Sequence, residues 1–414
     1  MTTTYRPFDD NDEYRRMLDD LLQKLDAVPS FLRDPLIEQL QPLINSLQNS
    51  RFPRFAIVGR RGSGKTMLMR ALFQEPVGAV GAIRPQTGAT SWSFLEGADG
   101  RGIHLLDTRG LQESRRPAEA DSATTPYDSI LAAIDNTPPD VILFLVKAKD
   151  VNTAIDGDLQ ALVRLLKSIT TTHGITPAVL GVITQCDELD PTYVRSPRER
   201  LEYPEQWEAK QTLSKQAAED LKGHLQRYAD IITVKVISVI AALEFDSDRR
   251  VIPERDYRWN INELATLLFE ALPEHAHIQF ARVARIHHLQ EKVARNIVKL
   301  TAAAAATVGL SPIPVSDMPI LNAIQLFMVM TIAYISGRPF SLQSTAEMLA
   351  AMGINIGTGV ALREVARALL KLIPGVGSVV SAGVAASGTL AIGEAAITYF
   401  IKGKNTYTTS NKTA

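Results

Sequence analysis

With 414 residues, 45% of them hydrophobic, the chain is long enough for about two to three domains and a full-sized core. A formal net charge of -1 gives no electrostatic case for DNA or RNA as a partner. The single cysteine, Cys186, excludes an internal disulfide, and the polar start lacks the apolar core of a secretory signal, so a cytoplasmic protein is expected.

Residues 1–50 read as an N-terminal helical segment. "EYRRMLDDLLQKL" repeats apolar residues at helical spacing, Pro29 interrupts it, and "PLIEQLQPLINSL" resumes. The apolar run "RFAIVG" follows as a strand and leads into "GRRGSGKT", residues 59–66, which fits G-x-x-x-x-G-K-[ST] at every position. The helix-like "MLMRALF" comes directly after. A strand, a glycine-rich loop and a helix N-terminus together form an anion cradle of backbone N–H groups. Gly59, Arg60, Arg61, Gly62, Ser63 and Gly64 would form the loop. Lys65 would sit on the β- and γ-phosphates, and Thr66 would hold Mg²⁺.

Within "PQTGATSW" lies a candidate switch threonine that would complete the metal shell; Thr87 and Thr90 both qualify, with Thr87 slightly preferred. "TSWSFLEG" and "GIHLLD" read as strands joined by the turn "ADGR". The second ends in "LLDTRG", a D-x-x-G element in which Asp107 would reach Mg²⁺ through water and the Gly110 amide could sense the γ-phosphate. Residues 113–129 read as a polar, Pro-containing loop. "DVILFLVKA", "AVLGVIT" and "ITVKVISVI" are further apolar strands with helical stretches between them. The alternation indicates an α/β, doubly wound, mainly parallel sheet of P-loop type, with ligands at the carboxyl ends of its strands.

In that arrangement "VITQCDELDP", residues 182–191, lies where a base would sit. The Asp187 carboxylate could accept hydrogen bonds from N1–H and the exocyclic amine of guanine, a donor pair that adenine lacks. Thr184 and Gln185 would brace the loop. The common form is N-K-x-D or T-K-x-D, whose lysine packs over the base and ties to the phosphate loop; here Gln185 stands in its place. Cys186 reads as a small buried spacer rather than a redox switch. Residues 191–210 read as a charged surface insertion before a helix. After the next strand a backbone N–H should contact the guanine oxygen, and Ser238 is the candidate.

From about Asn260 the pattern turns helical, with "FARVARIHHLQEKVARNIVKL" as one long amphipathic stretch. His275, His277, His287 and His288 fall close together but match no acidic or cysteine partners, and read as surface or partly packed residues. From Thr301 to the end only 11 residues are charged, 4 acidic and 7 basic. Residues 373–393 carry none over 21 positions, nearly the length of a bilayer span. Many of them are Gly, Ala and Ser, so transfer to lipid is weakly favourable. Two readings stay open for this region: a closely packed helical bundle, or a hairpin that inserts into or lies on a membrane. Lys371, Lys402 and Lys404 would suit an anionic lipid surface or a solvated face.

Taken together, residues 59–66, Thr87 or Thr90, 107–110 and 184–187 resemble the small GTPases of the Era and TrmE-like group, over roughly residues 52–245. The resemblance implies GTP/GDP binding, Mg²⁺ dependence and slow hydrolysis coupled to two loop conformations, with Lys65, Thr87 and Gly110 as the catalytic set. Ras-like proteins carry a water-positioning glutamine where this chain has Leu111. The attacking water must then be oriented by the protein, a partner or a second copy in a homodimer. "SPIPVSDMPILNAIQLFMVMTIAYISG" and "LIPGVGSVVSAGVAASGTLAIGEAAITYFIKG" resemble the YcjF-type domain of unknown function (DUF697 family), which implies association with a membrane lipid or a protein partner.

The expected division is 1–50 N-terminal helical, 51–272 GTP-binding and 273–414 helical and charge-poor. The leading reading is a GTPase with a nucleotide-controlled helical domain. The rivals are a membrane-associated scaffold or membrane-shaping protein with little turnover, and an ATP-using P-loop protein suggested by Gln185.

Overall fold

A computed structural model describes residues 11–26, 28–60, 62–74, 92–96, 102–109, 126–153, 155–228, 230, 235–310, 318–351 and 382–403. The chain forms two compact units, Pro53–Pro273 and the pair of segments Met1–Phe52 and Glu274–Ala414.

The first unit holds β1 (Arg54–Gly59), α3 (Lys65–Phe73), β2 (Trp92–Glu96), β3 (Gly102–Arg109), α4 (Pro126–Asn136) and β4 (Val141–Lys147), preceded in the chain by α1 (Asp12–Asp26) and α2 (Ser30–Gln48) of the other unit. It continues with α5 (Asp156–His173), β5 (Ala178–Thr184), α6 (Pro204–Gln226) and β6 (Lys235–Ser238), then β7 (Leu243–Phe245), β8 (Val251–Asp256) and α7 (Ile261–Ala271). Six strands form one sheet in the order β2-β3-β1-β4-β5-β6. Only the β2–β3 pair is antiparallel; every other pair is parallel. β1 and β4 are buried along almost their whole length, as their unbroken apolar runs require of central strands covered on both faces. Helix α5 packs Leu159, Leu162, Leu165, Leu166 and Ile169 into the same core.

Two features of this unit differ from the sequence reading. The antiparallel pair β7–β8 occupies residues given to no element, because its short strands are rich in charge and lack an apolar alternation. In the stretch 191–210, a short 3₁₀ turn, Pro197–Leu201, is capped by Ser196 and Glu199, and α6 has already begun at Pro204. Pro at the first helical position favours that start.

In the second unit, α1 and α2 join α8 (Glu274–Ala284), α9 (His287–Val308), α10 (Met318–Ile335), α11 (Leu342–Ala351) and α12 (Ala382–Phe400). The N-terminal helices, expected as a segment of their own, are thus part of the same body as the C-terminal ones. The Leu342 N–H donates to the Glu13 carboxylate at 2.8 Å, the Thr307 hydroxyl donates to Gln39 at 2.9 Å, and Tyr14 packs edge-on against Phe340. The long amphipathic stretch is two helices, not one. Arg285 takes a left-handed φ of 53°, which breaks the pattern between α8 and α9.

Helix α10 is buried on nearly every side from Ile320 to Ile335. In α12, a Cβ added to Gly393 would lie 2.5 Å from a methyl of Val298 on α9, so glycine permits this close crossing. Among the described residues, no helix is long and apolar enough to cross a membrane. Residues 352–381, which include the first nine positions of the uncharged run 373–393, lie outside the described part, and its other twelve belong to α12.

Candidate functional site

The glycine-rich loop connects the carboxyl end of β1 to α3. Gly62 and Gly64 have φ of 79° and 81°, a region in which L side chains are strained. At Gly59 the constraint is space, since a Cβ would sit 2.6 Å from the Leu145 carbonyl oxygen on β4. The Lys65 ammonium curls back over the loop and donates to the carbonyls of Gly59 (2.6 Å) and Arg60 (3.1 Å). Thr66 is exposed in the first turn of α3. Ser63 is buried, and its hydroxyl has no partner among the described residues.

Arg60 pairs with Asp158, in the first turn of α5, at 2.7 Å. Burial pushes the Asp158 carboxyl above the usual carboxylate range, opposed by the nearby charges of Arg60 and Lys65. One carboxylate therefore faces Arg60 and Lys65, the two loop cations among the described residues.

The end of β5 meets this loop directly. The buried Thr184 hydroxyl donates to the Ser63 carbonyl at 2.9 Å and lies 3.4 Å from that of Val146. Gln185, at a left-handed φ of 57°, donates its amide to the Gly62 carbonyl at 2.9 Å. Its other side-chain atom, Oε1, is buried without a partner among the described residues. Asp187 follows in a 3₁₀ turn, Cys186–Glu188.

That turn rests on a residue the sequence reading missed. Lys210 of α6 is 1% exposed, and its ammonium donates to the carbonyls of Asp187 (2.8 Å), Cys186 (3.4 Å) and Leu189. Burial lowers its pKa, while the charges of Asp187, Cys186 and Asp190 work the other way. The signal was in the sequence: the buried stripe of α6 runs Trp207, Lys210, Ser214, Ala217, Leu221, Leu225, and a lysine on such a stripe needs buried acceptors. Cys186 is fully buried, and burial pushes its thiol up to about 11.

Ser238 ends β6. Its hydroxyl donates to the Ser214 carbonyl at 2.6 Å, and its own carbonyl accepts from Asn260 at 2.9 Å. The next two backbone N–H groups are also committed, Val239 to Ile183 and Ile240 to Trp259. The backbone of Asp107 lies in β3 opposite Ile57 of β1. Arg61, Thr87, Thr90 and Gly110 lie outside the described residues.

Comparison with known proteins matches two separate stretches of the chain. Residues 54–176 match the family described as 50S ribosome-binding GTPase, and residues 276–413 match the domain of unknown function DUF697. A relative from Magnetospirillum gryphiswaldense, magnetosome membrane protein 22, is 34% identical over 91 residues, which is 21% of this chain and 45% of that protein. Among solved structures, Era from Aquifex aeolicus bound to GDP and aluminium fluoride is 16% identical with a TM-score of 0.30, covering 64% of this chain and 69% of Era. Toc33 from Arabidopsis thaliana is 16% identical with a TM-score of 0.33, covering 60% of this chain and 95% of that one. Residues 54–176 thus belong to the GTPase family and residues 276–413 to the DUF697 family, so this chain joins a GTP-binding domain to a helical domain of unknown function.

Proposed function

We propose that this chain binds GTP with Mg²⁺ and hydrolyses it slowly to GDP and phosphate, and that the nucleotide state controls the helical unit. One observation supports this most: Thr184 and Gln185 fasten the strand end that carries Asp187 to Ser63 and Gly62 of the phosphate loop. A ligand with an anionic end and a base can then engage both loops at once. The cradle fits such a ligand, since its glycines permit the left-handed and close-packed backbone of the loop, and the loop N–H groups lead into a helix N-terminus.

In this reading Lys65 leaves the Gly59 and Arg60 carbonyls for the β- and γ-phosphates. The backbone of residues 60–64 wraps the phosphates, and the Asp187 carboxylate accepts two hydrogen bonds from guanine. Thr66, Thr87 or Thr90, and Asp107 would hold Mg²⁺, which neutralises charge on the β- and γ-oxygens. Gly110 would sense the γ-phosphate. Water attacks the γ-phosphorus and the bond to the β-phosphate oxygen breaks. With Leu111 beside Gly110 and no glutamine there, turnover is slow unless a partner or a second copy orients the water. The helical unit would associate with a membrane, in line with the name of the magnetosome relative, or with a protein partner.

Calorimetric titration with GTP and ATP tests the base assignment. Strong GTP preference that is lost in Asp187→Ala is the expected result; equal affinities, or preference kept by the variant, would overturn it. Single-turnover assays with lipid vesicles present test hydrolysis, and GTP left intact for hours would remove the enzymatic part. Vesicle flotation in GDP and in a non-hydrolysable GTP analogue tests the membrane part, where recovery in neither state counts against it.

A further inference from the structure

Among the described residues three cations lie at the phosphate loop, and two of them are engaged by protein. Arg60 pairs with Asp158, and Lys65 bonds to loop carbonyls. The third is Lys147, the last residue of β4, which no sequence motif marked. β4 lies between β1 and β5; Leu145 is level with Gly59, and Lys147 is level with Thr184. Lys147 is therefore at the carboxyl edge of the sheet, between the loop that would hold phosphate and the strand end that would hold the base. A Cβ added to Gly62 would lie 3.4 Å from the Lys147 ammonium and 3.6 Å from its Cε, so the side chain lies along the loop backbone. Its ammonium has no hydrogen-bond or ion-pair partner among the described residues.

Gln185 reaches the same residue, through its bond to the Gly62 carbonyl. The amide thus makes the mechanical tie between the two loops and brings no charge. The charge stands one strand away, on Lys147. A lone ammonium beside an anion cradle gains little from protein neighbours and much from an anionic ligand.

We infer that Lys147 is a nucleotide-binding residue, its ammonium contacting the ligand where the phosphates join the ribose, between Gly62 and Thr184. This rests on the guanine-nucleotide reading of the site. The adjacency predicts a charge exchange: a lysine at position 185 should substitute for the one lost at 147.

The test is equilibrium titration of the full chain with GDP at several salt concentrations, for wild type, Lys147→Gln, Lys147→Met, Lys147→Arg and the double variant Lys147→Gln with Gln185→Lys. A charged contact of this kind corresponds to a loss of about ten- to a hundredfold in affinity. Both neutral variants should show that loss together with a shallower salt dependence, Lys147→Arg should stay near wild type, and the double variant should recover most of the affinity. Wild-type affinity and salt dependence in the neutral variants would overturn the inference and leave the nucleotide site standing. A wild-type chain that binds no guanine nucleotide would instead overturn the site itself. A loss in the neutral variants that neither arginine nor the lysine at 185 restores would also overturn it, because the effect would not then follow charge.

Discussion

Lys210→Met separates fold from recognition at the base loop. The substitution keeps most of the aliphatic stem within the buried stripe of α6 but removes an ammonium bonded to the carbonyls of Cys186, Asp187 and Leu189. A hydrogen bond to a charged group contributes about 1.5–3 kcal/mol, and a buried acceptor left unpaired costs about 1–3 kcal/mol. Against this stands the relief from burying a charge, so the net loss is about 2–4 kcal/mol. In a domain of this size each kcal/mol lowers Tm by about 2–4 °C, so the melt should fall by roughly 5–15 °C while the chain stays folded. The 186–189 turn carries Asp187, and its loosening should act on the base alone. GTP affinity should fall at least tenfold, with ATP affinity unchanged, when both are measured by calorimetry below the new melt. A lowered Tm with an unchanged GTP-to-ATP ratio would refute the positioning role and leave Lys210 as a prop of the fold.

Thr184→Val removes the hydroxyl that bonds Ser63 at a site 2% exposed, and should cost about 1–3 kcal/mol in denaturant melts and weaken nucleotide binding. Native Cys186 should resist thiol reagents. With its pKa moved from 9.0 to about 11, the thiolate fraction at pH 8 falls about a hundredfold, and full burial slows reaction further until the chain is denatured. The same shift sets a pH window. The thiol is favoured by the folded state, so its stabilising contribution is whole below pH 9 and is lost as pH rises towards 11, a loss absent from Cys186→Ala. Gly393→Ala should lower the stability of the helical unit by about 1–3 kcal/mol through its clash with Val298, and Val298→Ala in the same chain should restore part of it.

What could be read from the sequence was local. The phosphate loop is eight consecutive residues whose glycines answer to φ or to a neighbour within reach, and the parallel strands announce themselves as apolar runs because both faces are covered. Thr184 and Gln185 were readable as braces because they stand three and two residues before Asp187 at the end of one strand. Long-range placements were hidden. Nothing in the spacing of α1 and α2 says that they belong with helices more than 220 residues later, since their apolar stripes would suit any partner. The break at Arg285 was hidden by a continuous amphipathic pattern, because the left-handed residue that separates α8 from α9 is not a glycine or proline. Lys210 and Lys147 were overlooked for opposite reasons. One lies on a stripe where a charge is unexpected, and the other ends a strand where a charge is ordinary.

These two lysines bear on how Gln185 can stand where a lysine is common. A lysine there would tie the loops together and supply a positive charge with one side chain. In this chain the two tasks fall to different residues. The Gln185 amide donates to Gly62, which needs only a neutral donor of the right length, and the left-handed backbone at 185 aims it. Charge next to the loop comes from Lys147, across the strand. The shape of the base turn comes from Lys210, beneath it. Such a division lets loop geometry and loop potential vary independently. The geometric tie is short-ranged and indifferent to salt, whereas the potential is screened by it. Gln185 thus carries no argument for adenine over guanine, because the atoms that would tell the bases apart belong to Asp187.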